Sequence, residues 1–402
     1  MRMLLIGGGG REHALGLKFT QDDPLLELHS APGNPGLAAL GPCHDVAVDD
    51  LEGLVNLCRR MAPDWVIIGP EVPLTLGLVD RLKAQGAAVF GPSQAAAQLE
   101  ASKSFAKEIM AAANVPTAAY ARFETAEAAL KALPDWPPAV VVKVDGLAAG
   151  KGVVVCEDQA QAIAAIAALK AYGQPLILEE VLHGTEISLF AVVNARAVTP
   201  LTTAQDHKRV GEGDTGANTG GMGAYSPAPL PAGLTTESLC DLTVRPIADA
   251  MAAQGMAFYG VLFVGLMLTD DGPKVLEYNV RFGDPEGQVL LARLQSDLLA
   301  VLTQQSAPKW HAGAAMSVVL AAQGYPGAYA TGQPITAPKS AHLLHAGTKL
   351  VDGQLVTNGG RVMNAVGTGD TLAEARAAAY GLAEQVSYEG RFYRKDIGWR
   401  AL

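Results

Sequence analysis

A short glycine-rich loop between two apolar runs carries the first residues whose chemistry suits a phosphate. The stretch from 140 to 155 reads VVVKVDGLAAGKGVVV, and its glycines and lysines are Lys143, Gly146, Gly150, Lys151 and Gly152. Glycines let a backbone approach a polyanion closely, and the N–H groups of a loop can face phosphate oxygens. The stretch therefore predicts two strands joined by a flap over nucleotide phosphates. A plain glycine-rich turn without a ligand is the alternative that this stretch alone leaves open.

Two known phosphate-binding motifs are excluded by the positions of single residues. A P-loop reads G-x-x-x-x-G-K-[ST] and leads into a helix, whereas Gly152 stands at the position of the metal-binding hydroxyl and a strand follows it. Near the amino terminus, four glycines lie between an apolar strand and a predicted helix. The dinucleotide motif G-x-G-x-x-G fails there in both registers, because Glu12 or His13 takes the place of the last glycine.

Oxygen donors of a different kind lie at the end of a predicted strand. Glu277 and Asn279 are two residues apart, so both side chains emerge on one face of the strand. Two oxygen donors on a rigid face can hold Mg²⁺, which prefers a few protein oxygens together with phosphate oxygens. Arg281 projects on the same side and can clamp a phosphate. The spacing favours a metal site, and a solvated strand face is the alternative.

The stretch 206–227, DHKRVGEGDTGANTGGMGAYSP, is the most unusual in the chain. It contains six glycines and several charges, and it shows neither a helix period nor a strand period. A loop this long inside a compact domain is usually functional or disordered. Its mixed charges and small residues do not form low-complexity sequence, which favours a substrate-binding loop.

The first hundred residues contain three charged side chains at positions where the predicted strands end. Apolar strands and helices alternate there, as they do in a parallel α/β sheet. Ligands of such sheets lie beyond the carboxyl ends of the strands. Arg11, Glu12 and Glu71 occupy such positions and are therefore candidate site residues.

After the first hundred residues the regular alternation of strands and helices ends. Helices are predicted over 101–113 and 123–133, and a strand is predicted over 175–181. That strand contains two adjacent glutamates, Glu179 and Glu180. Short strands and turns follow Trp310, and a helix closes the chain, which predicts a small α+β region at the carboxyl end.

Composition and charge limit the class of protein. The chain has 402 residues, 49% hydrophobic and 17% charged, which suits a globular protein of several domains. A net charge of −10 argues against broad nucleic-acid binding, and no apolar run approaches the roughly 20 residues that cross a membrane. The start does not resemble a secretory signal, and the four cysteines have no zinc or redox spacing. Reduced cysteines, a cytoplasmic location and no membrane partner are therefore expected.

Together these features resemble the nucleotide site of the ATP-grasp superfamily. The chain from residue 3 to its end also resembles one family of that superfamily, the phosphoribosylamine–glycine ligases or glycinamide ribonucleotide synthetases. The segments that carry the resemblance are 7–13, 69–71, 145–152, 205–227 and 281–286. The DHKR…GDTG…NTGGMGAYSP signature is specific to this family. Ala217 stands where the family usually has proline, and Gly287 where it commonly has threonine or alanine, which slightly changes loop stiffness.

The resemblance implies an ATP-grasp fold with α/β and α+β regions in several domains. The implied domains are a Rossmann-like parallel α/β domain over 1–100, an ATP-grasp domain over 101–310 with a flap subdomain at about 118–188, and a small α+β domain over 311–402. The implied reaction ligates glycine to 5-phosphoribosylamine with ATP, through glycyl phosphate, in the second step of purine synthesis. The family is commonly monomeric.

The functional residues of the family carry over to matching positions of this chain. ATP binding is implied for Lys103, Lys143, Gly146, Gly150, Lys151, Gly152, Glu179, Glu180, Val181, Leu182, Glu186, Arg209 and Asn218. Binding of Mg²⁺, or of Mn²⁺ in its place, is implied for Glu277 and Asn279. Contact with glycine and its acyl phosphate is implied for Asp214, Thr219, Gly220 and Arg281, and catalysis for Lys143, Asp214 and Arg281. Contact with phosphoribosylamine is implied for Gly10, Arg11, Glu12 and Glu71.

Two rival functions remain open at the level of sequence. A different ATP-grasp ligase, such as a biotin-carboxylase-like enzyme or one that forms carboxyaminoimidazole ribonucleotide, would lack the signature at 206–227. A non-catalytic nucleotide sensor would bind ATP without turnover. The complete set of lysine, glutamate and asparagine side chains argues against such a sensor.

Overall fold

The amino-terminal region is a parallel sheet flanked by helices, as the alternation of apolar runs predicts. A computed structural model describes residues 1–148 and 152–402 of the chain. The elements of this region are β1 (Arg2–Gly7), α1 (Gly10–Asp22), β2 (Glu27–Pro32), α2 (Pro35–Ala38), α3 (Leu51–Met61), β3 (Trp65–Ile68), α4 (Glu71–Thr75), α5 (Leu78–Lys83) and β4 (Val89–Phe90). The strands lie in the order β2-β1-β3-β4 and run parallel. Because β1 and β3 are neighbours, the start of α1 and Glu71 lie at the same edge of the sheet.

A second sheet, which is antiparallel, contains the glycine-rich hairpin. The next elements are α6 (Gln98–Ala101), α7 (Lys103–Ala112), β5 (Tyr120–Phe123), α8 (Ala126–Ala132), β6 (Val140–Val144), β7 (Val153–Cys156), α9 (Gln159–Leu169) and β8 (Leu176–Glu179). The strands lie in the order β5-β8-β6-β7. Val140 pairs with Cys156 and Lys143 with Val153. The predicted pair of strands is thus confirmed.

The predicted helix over 101–113 begins only at Lys103, because the Ser102 hydroxyl caps α7 there. Two further element predictions in this region are wrong in their bounds. The predicted helix over 123–133 begins only at Ala126, because the Thr125 hydroxyl caps it there and the residues before the cap form β5. The predicted strand over 175–181 ends at Glu179, so the second glutamate of the pair follows the strand. Both differences come from caps and pairing partners, which an apolar period does not reveal.

The stretch 206–227 is not the irregular loop that its composition predicts. The elements of this part of the chain are β9 (Thr185–Asn194), β10 (Ala197–Asp206), β11 (Arg209–Gly211), β12 (Thr215–Asn218), β13 (Gly223–Ser226), α10 (Thr236–Thr243), α11 (Arg245–Ala253), β14 (Tyr259–Thr269), β15 (Gly272–Asn279), α12 (Glu286–Arg293) and α13 (Leu298–Leu302). The stretch contains the small hairpin β11–β12 and the buried strand β13. The prediction of a loop is wrong because distant strands specify β13, rather than a local apolar period.

The carboxyl-terminal region adds further strands to the largest sheet. Its elements are β16 (Ala314–Ala322), β17 (Leu343–His345), β18 (Thr348–Val351), β19 (Gln354–Thr357), β20 (Arg361–Gly369), α14 (Leu372–Ala383) and β21 (Arg391–Phe392). The sheet has the order β15-β14-β9-β10-β13-β16-β20-β17, and β21 pairs with β16. Since β13 pairs with β16, one sheet includes strands from both sides of residue 310.

Apolar packing holds the first sheet against the largest one. Leu4, Ile6 and Val66 of the first sheet belong to the same buried cluster as Ile187 and Leu262 of the largest sheet. This packing places the carboxyl edge of the first sheet beside the end of β15, where the predicted oxygen donors lie. None of the helices in the described part of the chain is long and apolar enough to span a membrane.

Candidate functional site

Two lysines hold one buried carboxylate at the base of the glycine-rich hairpin. Lys143, on β6, places its Nζ 2.5 Å from Oε2 of Glu179, the last residue of β8. Lys107, on α7, places its Nζ 2.9 Å from Oε1 of the same carboxylate. All three side chains are buried, and burial lowers the pKa of Lys107 to about 8 against the attraction of Glu179. The ammonium group of Lys143 is therefore held at a defined point.

The loop of the hairpin is fastened to the start of α7. Lys103 Nζ donates a hydrogen bond of 2.8 Å to the carbonyl oxygen of Gly146. Asp145 accepts hydrogen bonds from the N–H and the hydroxyl of Ser104, at 3.0 and 2.6 Å. These contacts place the beginning of the predicted flap next to Lys103, as expected for two groups that serve the same phosphates.

The other predicted ATP-binding residues near the hairpin have different surroundings. Gly150 and Lys151 lie outside the described residues. Gly152 is buried directly before β7. Residues 180–182 follow β8 and are half-buried, and the N–H of Glu180 donates to the carbonyl oxygen of Ala119 at 2.9 Å. The start of the segment after β8 thus lies beside Ala119, the residue before β5.

Three lysines surround the carboxylate of Glu277 on β15. Lys208 Nζ lies 3.7 Å from Oε1 of Glu277 and 2.5 Å from Oε1 of Glu186. Desolvation raises the pKa of Glu277, but the charges of Lys208, Lys103 and Lys143 outweigh it and lower the pKa to about 2. The carboxylate is therefore ionised at neutral pH. Lys208 was not among the predicted site residues, although its place in the DHKR signature was a signal for it.

Glu277 and Asn279 fit the oxygen donors predicted for a divalent cation. Oδ1 of Asn279 accepts a hydrogen bond of 3.2 Å from Arg281, while its buried Nδ2 has no partner among the described residues. An ionised carboxylate and an amide on the same strand face suit Mg²⁺, which keeps water or phosphate oxygens as further ligands. The two side chains therefore fit a cation that is shared with phosphates.

Arg281 joins β15 to the edge of the first sheet. Its Nε lies 3.2 Å from Oε2 of Glu71, and one terminal nitrogen, NH2, lies 2.6 Å from Oε1 of Glu100. Arg11 reaches across in the opposite direction and donates to the carbonyl oxygen of Phe282 at 2.9 Å. The structure thus brings together Arg11, Glu71 and Arg281, which sequence analysis assigned to two different substrates.

Glu12 and Gly10 have structural contacts at the start of α1. Oε2 of Glu12 accepts a hydrogen bond of 2.7 Å from the Gly9 N–H, and its Oε1 lies 2.6 Å from Nε of Arg11. Glu12 thus caps the helix and orients Arg11. A Cβ on Gly10 would lie 2.3 Å from Nδ2 of Asn364, so a larger residue would have to displace that side chain.

The small hairpin β11–β12 reaches from the signature stretch to the glycine-rich hairpin. Arg209 pairs with Asn218 across its two strands. Nδ2 of Asn218 lies 3.4 Å from the carbonyl oxygen of Val153 on β7. Thr219 binds the carbonyl oxygen of Lys208 through its N–H and its hydroxyl, at 2.7 and 2.9 Å. These predicted site residues therefore lie between the flap and Lys208.

Gly220 is held by two side chains of the carboxyl-terminal region. Its N–H lies 3.0 Å from the hydroxyl of Tyr325, and its carbonyl oxygen accepts a hydrogen bond of 2.6 Å from Arg361. Arg361 also donates to the carbonyl oxygen of Asp284 at 2.5 Å. Arg361 was missed by sequence analysis because a single arginine at the start of a strand carries no motif.

A buried carboxylate pair lies close to these residues. Burial and the neighbouring Glu286 raise the pKa of Asp206 well above its usual range. Burial also raises the pKa of Glu286, whose Oε1 accepts a hydrogen bond of 3.1 Å from Ser188. A Cβ on Gly221, where φ is +109°, would lie 2.7 Å from Oδ1 of Asp206. Gly221 thus allows the backbone to approach this carboxylate.

Asp214 contacts the carboxyl-terminal segment rather than the lysines of the site. Its Oδ1 lies 3.0 Å from Arg394, and its Oδ2 pairs with Arg400. Arg394 is 1% exposed, donates to the carbonyl oxygen of Arg209 and pairs with Asp396. The arginine therefore fastens the small hairpin to the end of the chain, and the predicted catalytic role of Asp214 gains no contact with Lys143 or Arg281.

Replacing Arg394 by alanine is expected to lower the free energy of unfolding by about 3 kcal/mol, because it leaves Asp396 without its arginine and the carbonyl oxygen of Arg209 without a donor. Urea unfolding followed by circular dichroism measures this change. Arg196→Ala is the matched control, since the pair of Arg196 with Asp249 is 65% and 57% exposed and its loss should cost less than about 1 kcal/mol. Equal losses for the two variants would contradict the structural role of Arg394.

The contacts described above form two walls of one site. One wall is the glycine-rich hairpin with Lys143 and Glu179, and the other is β15 with Glu277 and Asn279. Lys103 links them, since it binds the hairpin loop and its charge also lowers the pKa of Glu277. An antiparallel hairpin that faces an acidic strand across lysines is the arrangement that the resemblance to ATP-grasp enzymes implies.

Comparison with known proteins narrows this class. Three family models match the chain: the N domain of phosphoribosylglycinamide synthetase over 1–100, its ATP-grasp (A) domain over 101–287, and its C domain over 315–400. The phosphoribosylamine–glycine ligase of Rhizobium meliloti is 48% identical over 418 residues, covering 100% of this chain and 99% of the relative. The crystal structure of phosphoribosylamine–glycine ligase from Thermotoga maritima has a TM-score of 0.87 and 36% identity, covering 99% of this chain and 100% of that chain.

The chain belongs to the phosphoribosylglycinamide synthetase family of ATP-grasp ligases. The predicted family, fold class and enzyme class are thereby confirmed. The biotin carboxylase domain of 2-oxoglutarate carboxylase from Hydrogenobacter thermophilus shares the fold alone, with a TM-score of 0.74, 14% identity, and coverage of 97% of this chain and 91% of that chain.

Proposed function

We propose that the protein joins glycine to 5-phosphoribosylamine at the expense of ATP, in the second step of purine synthesis. The products are glycinamide ribonucleotide, ADP and phosphate. The observation that carries this proposal is the similarity over the whole chain to relatives named phosphoribosylamine–glycine ligase. The arrangement of Lys143 and Glu277 supports it, because it suits the phosphates of ATP.

The first step activates the carboxylate of glycine. One carboxylate oxygen attacks the γ-phosphorus of ATP, the bond from that phosphorus to the β–γ bridging oxygen breaks, and ADP leaves. Phosphoryl transfer of this kind needs positioning and charge neutralisation rather than a protein nucleophile. Lys103, Lys143 and Arg209 are assigned to the phosphates. Glu277 and Asn279 would hold Mg²⁺, or Mn²⁺ in its place, and the bound cation neutralises phosphate charge.

The nucleoside part of ATP is assigned to the segment after β8 and to β9. Backbone groups of residues 179–182 would read the edge of adenine. Glu186 would bind the ribose hydroxyls, and Lys208, which contacts Glu186 at 2.5 Å, adds positive charge next to the cation site. Glycines 146, 150 and 152 and Lys151 would cover the phosphates.

The second step forms the amide bond. The amine nitrogen of phosphoribosylamine attacks the carbonyl carbon of glycyl phosphate, the bond from that carbon to the phosphate oxygen breaks, and the nitrogen loses a proton. Arg281, Thr219 and Gly220 are assigned to glycine and its acyl phosphate, and Asn218, like Arg209, to the terminal phosphates of ATP. Gly10, Arg11, Glu12 and Glu71 are assigned to phosphoribosylamine. Glycyl phosphate and phosphoribosylamine are both labile in water, and a flap that excludes water would protect them.

The purified protein is expected to release ADP and phosphate only when glycine and phosphoribosylamine are both present with ATP and Mg²⁺. A coupled assay for ADP, with each substrate omitted in turn, measures this dependence. Equal turnover with another carboxylate and another amine would contradict the assigned substrates. Binding of ATP without any turnover would favour a nucleotide sensor instead.

We also propose that the protein is a cytoplasmic monomer. All four cysteines are free, as in proteins of a reducing compartment. Light scattering coupled to size-exclusion chromatography is expected to give the mass of one chain, 41.7 kDa. Twice that mass would contradict the monomer.

A further inference from the structure

The guanidinium group of Arg281 is held by three side chains from different elements. Its Nε lies 3.2 Å from Glu71, at the edge of the first sheet. Its NH2 lies 2.6 Å from Oε1 of Glu100, on α6, and 3.2 Å from Oδ1 of Asn279. One nitrogen of Arg281 therefore contacts both the side chain assigned to the cation and a carboxylate that has no assigned role.

The two oxygens of Glu100 hold Arg281 at two points. Oε1 accepts from the guanidinium, while Oε2 accepts a hydrogen bond of 2.8 Å from the N–H of Val280, the preceding residue. Glu100 itself is buried, at 8% exposure, so water does not replace either bond easily. A carboxylate supplies two acceptors for this purpose, whereas the amide of glutamine supplies only one.

We propose that Glu100 is a positioning residue that orients Arg281 towards the carboxylate of glycine and the acyl phosphate. The inference rests on the proposed function, because Arg281 acts on those groups only in that reaction. Glu100 acts through the arginine, since its two oxygens are occupied by Arg281 and Val280.

The ionisation of Glu100 is consistent with this role. Burial raises its pKa to about 7, although the positive charge of Arg281 opposes the rise. Glu71 raises the pKa further and Arg11 lowers it, and Lys103 also faces Glu100. Protonation converts one acceptor into a donor. The interaction of Glu100 with the guanidinium of Arg281 therefore weakens as the pH falls through about 7. The value of kcat/KM for glycine should fall over the same pH range.

The test compares Glu100→Gln with wild type in the complete reaction. We expect kcat/KM for glycine to fall by about 10- to 100-fold, the effect of a small misplacement of a catalytic group, while KM for ATP stays unchanged. The fall of wild-type kcat/KM below pH 7 should disappear in the variant. Glu100→Asp keeps both acceptors on a shorter side chain and should restore part of the activity. Glu108→Gln, at an exposed position of α7, is the matched control.

A crystal structure of Glu100→Gln tests the positioning role without turnover. We expect the guanidinium of Arg281 to leave its site between Glu71 and Asn279. An unmoved arginine, or wild-type kinetics for glycine in the variant, would overturn the proposal. An equal fall of kcat/KM for all three substrates, together with a lowered melting temperature, would also overturn the proposal. Glu100 would then have a purely structural role. Lack of ligation by wild type would contradict the proposed function, and the crystal structure would still decide about Glu100.

Discussion

Glu277→Gln is expected to lower kcat by about 1,000-fold at saturating Mg²⁺. Of the two side chains proposed to hold the cation, Glu277 and Asn279, only Glu277 carries a negative charge, and the substitution removes it. The side chain keeps its size, so shape alone does not explain a loss. In wild type, the charges of Lys208, Lys103 and Lys143 outweigh desolvation and lower the pKa of Glu277 to about 2. The carboxylate is therefore ionised throughout the working pH range, and its loss removes a negative charge that attracts all three lysines.

The measurement is ADP release as a function of Mg²⁺ and of Mn²⁺ concentration. For Glu277→Gln, a higher metal concentration is not expected to restore turnover. The side chain of Glu277 is 37% exposed, so the melting temperature should stay close to that of wild type. Glu389→Gln, an exposed position in the carboxyl-terminal region, is the control. Turnover near the wild-type rate would remove Glu277 from the cation site.

The fold could be predicted where a local apolar pattern specifies an element. The two apolar runs of 140–155 form the predicted pair of strands, Val140–Val144 and Val153–Cys156. The strand Gly223–Ser226 could not be predicted, since its glycine and small residues carry no period and its place depends on pairing with β10 and β16. Pairing with distant strands buries Tyr225 completely, which no local window of sequence reveals.

The site could be predicted where spacing alone sets the geometry. Glu277 and Asn279 are two residues apart on a strand, and this spacing was enough to place both side chains on one face. Lys107 and Glu100 were not found, because a lysine or glutamate on a helix usually lies in solvent and only tertiary packing buries it here. Asp214 was predicted from the signature, and the partner that the structure gives it, Arg394, lies 180 residues further along the chain.

Lys143→Met is expected to weaken the binding of a non-hydrolysable ATP analogue by about 10- to 100-fold, as removal of one charge-assisted contact to phosphate would. Methionine keeps the length of the stem and the apolar packing on β6. The variant leaves Glu179 paired with Lys107 at 2.9 Å, so the buried carboxylate retains one partner. Isothermal titration calorimetry measures the affinity, and Lys131→Met, an exposed lysine of α8, is the control.

Lys107→Met is the variant that distinguishes two roles of Lys143, contact with phosphate and pairing with the buried carboxylate of Glu179. Lys107 binds the hydroxyl of Thr117 at 2.7 Å as well as Glu179, so its partners are protein groups. Its loss leaves Glu179 paired with Lys143 but removes hydrogen bonds to Glu179 and Thr117, so the free energy of unfolding should fall by about 1 to 2 kcal/mol. The affinity for the ATP analogue should change less than it does in Lys143→Met. If Lys143→Met bound the analogue as tightly as wild type, or if the two variants lost affinity equally, Lys143 would be a structural partner of Glu179 and not a ligand of the phosphates.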